Sequence, residues 1–323
     1  MRNTVTLLII LILFPAILST RGHDPEVIRN SAGNEMILVK GGSFLMGSKE
    51  KGVSGDEKPQ HPVTLSDFYI ASTEVTFAEF AKFIEATEYK TSAEVNGFSY
   101  VRTKDEWEKR AGINWTCDEW GNIRDISREN APVVHVSWYD AVEYCNWLSK
   151  KDGLNPAYSI NKDVKDPNNL DTLSDTQKWI VKCDFSANGY RLPTEAEWEF
   201  AARGGNESKG YMFPGSDDFR EVGHVFSSKP WKEGMIEVGS YKPNELGLFN
   251  MAGNVTEWCW DWFGDYTTDA QTDPRGPESG RERVKRNGSW YGLIYNCRTT
   301  YRTAYTPETS FFELGFRVAK SAK

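Results

Sequence analysis

Five cysteines and four histidines are the residues of this 323-residue chain best suited to bind a soft metal or attack an electrophile. Cys117, Cys145, Cys183, Cys259 and Cys297 contain no C-x-x-C pair, which argues against a zinc knuckle or a thioredoxin-like centre. Their number is odd, so at least one stays unpaired within a monomer even in an oxidising compartment. His23, His61, His135 and His224 are scattered, with no His-x-x-x-His pair to seat a facial iron site. His61 and His135 lie in strand-like contexts and are read as structural. Trp258, Trp260, Trp262 and Tyr266 would line a binding groove or fill a core, and core is the reading adopted. Residues 155–178, with Asp163, Asp166, Asn168, Asn169, Asp171 and Asp175, form a polar insertion. It is read as a solvated surface excursion, with a substrate-facing or calcium-binding loop as the alternative.

Three amphipathic helices are expected to position these groups. Thr76 with Glu79, Ser137 with Asp140 and Thr194 with Glu197 each pair a hydroxyl with an acid three residues on, the capping-box spacing, ahead of apolar residues at helical intervals. Strand-like patterns begin at Glu35, run through Gly41–Gly47, and resume in one strand through Val63, Leu65, Phe68 and Ile70. Long polar stretches separate the helices. Together with 12 Trp, 14 Tyr, 17 Phe and 27 Gly they predict a fold of short strands and turns held by aromatic anchors. No repeat or linker divides the chain, so one domain is expected over 35–320.

The N-terminus has a targeting layout. Arg2 precedes an apolar run from Val5 to Leu18, and Ser19-Thr20-Arg21-Gly22 is polar. This predicts a signal peptide over residues 1–21, a polar leader over 22–34, and a secreted or periplasmic destination. The run is too short for a comfortable membrane span, so no stable membrane insertion is expected after cleavage; an uncleaved anchor is the alternative. The formal net charge of -8, without a basic run, excludes nucleic acid as a natural partner.

The block Gly189-Tyr190-Arg191-Leu192-Pro193-Thr194-Glu195-Ala196-Glu197-Trp198-Glu199, with Ala202-Arg203-Gly204-Gly205, resembles a signature of the formylglycine-generating (sulfatase-modifying factor) enzymes. Further pieces follow the family's order: Glu74-Val75-Thr76, Pro132 to Trp138, Asn244 to Trp258, Asn287-Gly288-Ser289-Trp290 and Leu314-Gly315-Phe316-Arg317. They span essentially the whole mature chain. The resemblance implies an α+β globule with little regular structure and a C-type-lectin-like core. Activity does not follow from it, because members similar in fold include oxidases, iron enzymes and non-catalytic paralogues.

In the family's formylglycine generators, two cysteines bind copper(I), three and eight residues after the serine of a Gly-Ser-aromatic motif. Counted from Ser289, those positions are Gly292 and Cys297. Glycine offers no ligand, and no other cysteine lies within thirty residues of Cys297. The family histidine beside the first cysteine is Leu293, and a family tryptophan is Thr256. Ser289 and Cys297 are therefore the only catalytic candidates carried over, copper is not expected, and iron is undetermined. Cys297 is read as a buried thiol or half of a disulfide, with Cys259 as a possible partner. Cys145 matches a family disulfide position whose partner is Val318 here.

The family's calcium segment reads Asn250, Gly253, Val255 and Glu257 in this chain, two side-chain and two carbonyl ligands, so bound calcium is expected. No second calcium site is assigned near His224. These readings predict an exported, calcium-stabilised scaffold for a peptide, glycan or protein. The alternative is an oxidase or protein-modifying enzyme whose metal ligands are not thiols.

Overall fold

The computed structural model describes residues 26–225 and 234–322. The expected signal peptide and His23 lie outside the described residues. The architecture is α+β, with few helices among several small sheets. Each of the three expected helices forms where its capping box places it: Phe77–Thr87, Trp138–Lys151 and Glu195–Ala202. In the first, the Thr76 hydroxyl accepts the Glu79 amide at 3.2 Å while the Glu79 carboxylate accepts the Thr76 amide at 2.8 Å. Two otherwise orphaned N–H groups are thereby satisfied, and the helix start is fixed locally.

One antiparallel sheet has the spatial order Val27–Arg29, Glu35–Val39, Phe68–Ala71, Ala319–Ser321, Tyr190–Arg191. The part of the polar leader that is described is thus built into the domain. The turn that folds it back is held by Asn30 Oδ1, which accepts the amides of Ala32, Gly33 and Asn34 at 3.0–3.1 Å. The single strand expected from Val63 to Ile70 is two strands in different sheets. His61–Leu65 pairs with Gly42–Met46, whereas Phe68–Ala71 lies in the sheet just described. The chain breaks at Ser66-Asp67 because Asp67 Oδ1 accepts the Gly41 amide and the Ser66 amide turns to Asp273 Oδ1, both at 2.7 Å.

A four-stranded sheet, in the order Arg302–Tyr305, Arg283–Arg286, Thr256–Trp262, Leu314–Phe316, carries most of the functional candidates. Glu257 faces Arg286 across an antiparallel pair and Gly315 across a parallel one. The aromatic run is core in part: Trp258 and Trp262 are buried, and the Trp258 indole donates to Val136 O at 3.2 Å, whereas Trp260 and Tyr266 are half-buried and Trp262 and Tyr266 line a cavity of about 330 Å³.

The polar insertion departs from its reading as a solvated excursion. It forms a hairpin of Tyr158–Lys165 with Trp179–Cys183, and its tip buries Asp166, Asn169, Asp171 and Asp175. Short acids satisfy the loop's own backbone: Asp171 Oδ2 accepts the amides of Leu173, Ser174 and Asp175 at 2.7–3.2 Å. Asp175 anchors the tip to Tyr139 Oη at 2.8 Å. Lys178 Nζ rests on the carbonyl oxygens of Asn169 and Asp171. No helix among the described residues is long and apolar enough to cross a membrane.

Candidate functional site

The conspicuous sequence motifs converge on a buried ionic frame rather than on an open catalytic cleft. Arg317 holds Glu257 through two hydrogen bonds of 2.6 Å, and the Trp198 indole donates to the same carboxylate at 2.8 Å. Arg286 bridges Glu195 and Glu199 at 3.0 and 2.8 Å, and Arg302 holds Glu195 from the other side. Arg191 forks onto Glu197, the acid that also caps its own helix. Glu74 receives Asn254 Nδ2 at 3.0 Å. Its burial, together with the neighbouring Glu257 charge and against the pull of Arg317, raises its pKa to about 8. Sequence reasoning located these motifs but not their pairing. The available signal was an Arg or Glu in almost every motif, set among apolar residues.

Beside this frame, the segment after Arg286 carries the catalytic candidates. The Ser289 hydroxyl donates to Glu313 Oε2. Lys285 Nζ lies 3.6 Å from Glu313 Oε1 and 4.0 Å from the Tyr305 ring centroid. Burial lowers the Lys285 pKa, although Glu313 opposes the shift. Thr256 is tied to the same residue, its amide and hydroxyl both donating to Glu313 O at 2.8 and 3.0 Å. Glu313 and Lys285 were not found from sequence, because nothing local marks them as partners of Ser289.

Cys297 is turned away from solvent, with 1% of its surface exposed, in an apolar cluster with Phe213, Phe219, Val222 and Ala252. Its sulfur donates weakly to Leu293 O at 3.9 Å and packs against Gly288 so closely that a Cβ there would lie 2.5 Å away. Burial pushes the thiol well above its ordinary pKa, and the Gly288 amide offsets little of that. All five cysteines are free. The disulfide alternative for Cys259 and Cys297 is therefore corrected: each sulfur is sealed in a different apolar cluster. Gly292 sits near Ser289, where a Cβ would approach Ser289 O at 3.3 Å, while Leu293 projects outward, 65% exposed.

The same chain segment floors a groove of about 490 Å³. Tyr295, Arg298, Thr299 and Thr300 line one side, and Lys49, Tyr211 and Met212 line others, with Met212 56% and Tyr295 44% exposed. Both flanks of Cys297 thus face the groove, whereas Cys297 itself faces the core.

The expected calcium ligands are all engaged by protein groups. Asn250 Oδ1 accepts the Gly239 amide at 2.7 Å, and the Glu257 carboxylate is held by Arg317 and Trp198. The carbonyl oxygens of Gly253 and Val255, and that of Asn250, accept hydrogen bonds from Asn287 Nδ2. These four residues therefore do not present a free oxygen shell to a hard cation. Among the described residues, no three His, Cys, Asp or Glu side chains cluster as a metal site elsewhere.

The three histidines among the described residues contact protein groups. His135 bridges Ser99 Oγ at 2.9 Å and Asp118 O at 3.0 Å, and burial lowers its pKa to about 4, so it is neutral. His61 contacts Pro59 O at 3.1 Å, and His224 Nε2 lies 2.8 Å from Gly234 O. Asn254 and Asn287, each the first residue of an Asn-x-Ser/Thr triplet, are buried.

Residues 23–322 match the model of the sulfatase-modifying factor enzyme 1-like domain. The chaperone protein LppX of Paenibacillus barcinonensis is 33% identical over 306 residues, spanning 90% of this chain and 91% of the relative. The formylglycine-generating enzyme of Streptomyces coelicolor is 34% identical over 321 residues, spanning 88% of this chain and 89% of the relative. Among solved structures, Treponema denticola variable protein 1 superposes with a TM-score of 0.69 at 27% identity, covering 92% of this chain and 98% of that one.

Proposed function

The chain belongs to the sulfatase-modifying factor family, and from that premise we propose that it is an exported binding scaffold rather than a formylglycine generator. One observation carries the reading. The groove is lined by Tyr295 and by Arg298 to Thr300, yet Cys297, the sole thiol on that segment, points into the apolar core, and Gly292 supplies no second one. A copper(I) site needs soft, deprotonated sulfur ligands in pairs. A buried, neutral Cys297 beside a glycine does not meet that need.

Of the peptide, glycan and protein ligands compatible with such a groove, a polypeptide fits best. Exposed Met212 and Tyr295 offer adaptable apolar contacts, and Lys49 adds charge at the rim. The similarity to a relative named as a chaperone protein supports this choice. Export rests on the pattern of residues 1–22. The competing reading is a protein-modifying enzyme, and the Ser289–Glu313–Lys285 cluster, a hydroxyl beside an acid and an amine, is its best support.

The test uses the secreted protein. It is mixed with a thermally unfolding client and light scattering is followed, with and without a copper chelator. In parallel, a cysteinyl peptide is offered with oxygen and copper(I). Suppressed aggregation that is indifferent to the chelator, with an unaltered peptide, is the expected result. Metal-dependent oxidation of the peptide would overturn the scaffold reading.

A further inference from the structure

We propose that the Asn287 carboxamide stands in for a bound cation, making this fold independent of calcium at the segment where calcium is expected. The carbonyl oxygens of Asn250, Gly253 and Val255 converge on one atom, Asn287 Nδ2, at 2.8, 2.7 and 3.1 Å. Three inward carbonyls form a concentrated negative potential, which proteins neutralise with a hard cation or with N–H donors. Here the neutraliser is a side chain of the protein itself.

The orientation of that side chain is fixed by its other end. Asn287 Oδ1 accepts the amides of Gly253 at 2.6 Å and Gly288 at 2.9 Å, so oxygen and nitrogen cannot be exchanged without setting three carbonyls against a fourth oxygen. The backbone supports the same conclusion. Asn287 is buried and sits at φ 69, a left-handed conformation that Asn tolerates better than other side-chain-bearing residues. Such a conformation persists when surrounding contacts over-determine it, and five hydrogen bonds meet on this one carboxamide.

The neighbouring carboxylate is committed elsewhere. Glu257 is neutralised by the Arg317 guanidinium, which also donates to Ala71 O and Phe249 O at 3.1 Å. A divalent ion would have to displace the carboxamide and lie next to a fixed positive charge. Two amide hydrogens shared among three acceptors do the same electrostatic work without an ion.

The experiment compares thermal midpoints of the full mature chain in EDTA and in about 5 mM calcium chloride, above the range of weak extracellular sites. Metal content is measured on the same samples. For the native sequence the two midpoints should coincide, with no stoichiometric calcium. Asn287→Gly keeps the left-handed backbone but empties the cage. Asn287→Asp instead sets a carboxylate oxygen among the carbonyls. Both variants should melt lower in EDTA by about 5 °C or more and regain much of that with calcium. Stoichiometric calcium in the native protein, or a midpoint that falls on chelation, would overturn the inference. So would variants that calcium does not rescue, since the carboxamide would then be only a hydrogen-bonding brace. If neither variant folds, the native comparison still decides.

Discussion

Arg317 Nε and Nη2 each lie 2.6 Å from an oxygen of Glu257, and neither side chain is exposed to solvent. A pair this buried is costly to break, because the surviving charge has no water to turn to. Arg317→Met leaves Glu257 facing Glu74 and the Trp198 indole, and is expected to lower unfolding free energy by about 3–5 kcal/mol. Trp198→Phe removes one hydrogen bond to the same carboxylate and should cost about 1–2 kcal/mol. Denaturant titrations of both variants test the ranking. A smaller loss for Arg317→Met than for Trp198→Phe would show that the ion pair is not the stronger brace.

Cys297 should behave as core rather than as a reagent. In native protein near neutral pH it is expected to resist iodoacetamide, because the thiol is buried and its pKa is raised. Cys297→Ser places a hydroxyl in an apolar cluster and should lower stability by about 1–3 kcal/mol, leaving client binding unchanged. Peptide mapping after alkylation decides the first point. Rapid native labelling at Cys297 would show that the segment opens readily.

Gly292 marks where a second thiol would stand. A Cβ there meets Ser289 O at 3.3 Å, so Gly292→Cys should fold after a small adjustment, with a stability change within about 1 kcal/mol. Its new sulfur, on a half-buried turn, should be alkylated while Cys297 is not. Mass spectrometry of the labelled variant separates the two positions. Equal labelling of both would contradict the burial argument for Cys297.

Asp261 supplies a pH dependence. Burial, reinforced by the nearby Glu195 charge, raises its pKa from 3.8 to about 8, although its Oδ2 accepts the Glu195 amide at 2.7 Å. The folded state thus binds this proton more tightly than the unfolded chain does. Its contribution to stability is fully present below the unfolded pKa near 4 and is lost as pH rises toward about 8. Asp261→Asn keeps an acceptor for the amide and removes the titration. The stability of the variant relative to the parent should therefore rise between pH 5 and pH 8, by up to about 1.4 kcal/mol per pH unit. Parallel stability curves for parent and variant across that range would count against a neutral Asp261.

Features that depend on residues close along the chain could be read without the structure. Three helix starts were legible because a hydroxyl and an acid three residues apart complete their own hydrogen bonds, as Thr76 and Glu79 do. Family membership and the α+β class were legible because long blocks such as Gly189 to Glu199 kept their order. The glycine at position 292 also needed no structure to be noticed. Tertiary structure alone decided what those blocks are for. Glu257 meets its cation from 60 residues away, and Ser289 finds Glu313 from 24 away, distances over which sequence spacing carries no geometric information. It likewise split the apolar stretch from Val63 to Ile70 between two sheets and folded the acidic insertion onto Tyr139. The same carboxylate that reads as a metal ligand beside Asn250 becomes half of an ion pair once Arg317 is placed against it, because a buried charge is defined by its nearest neighbour in space.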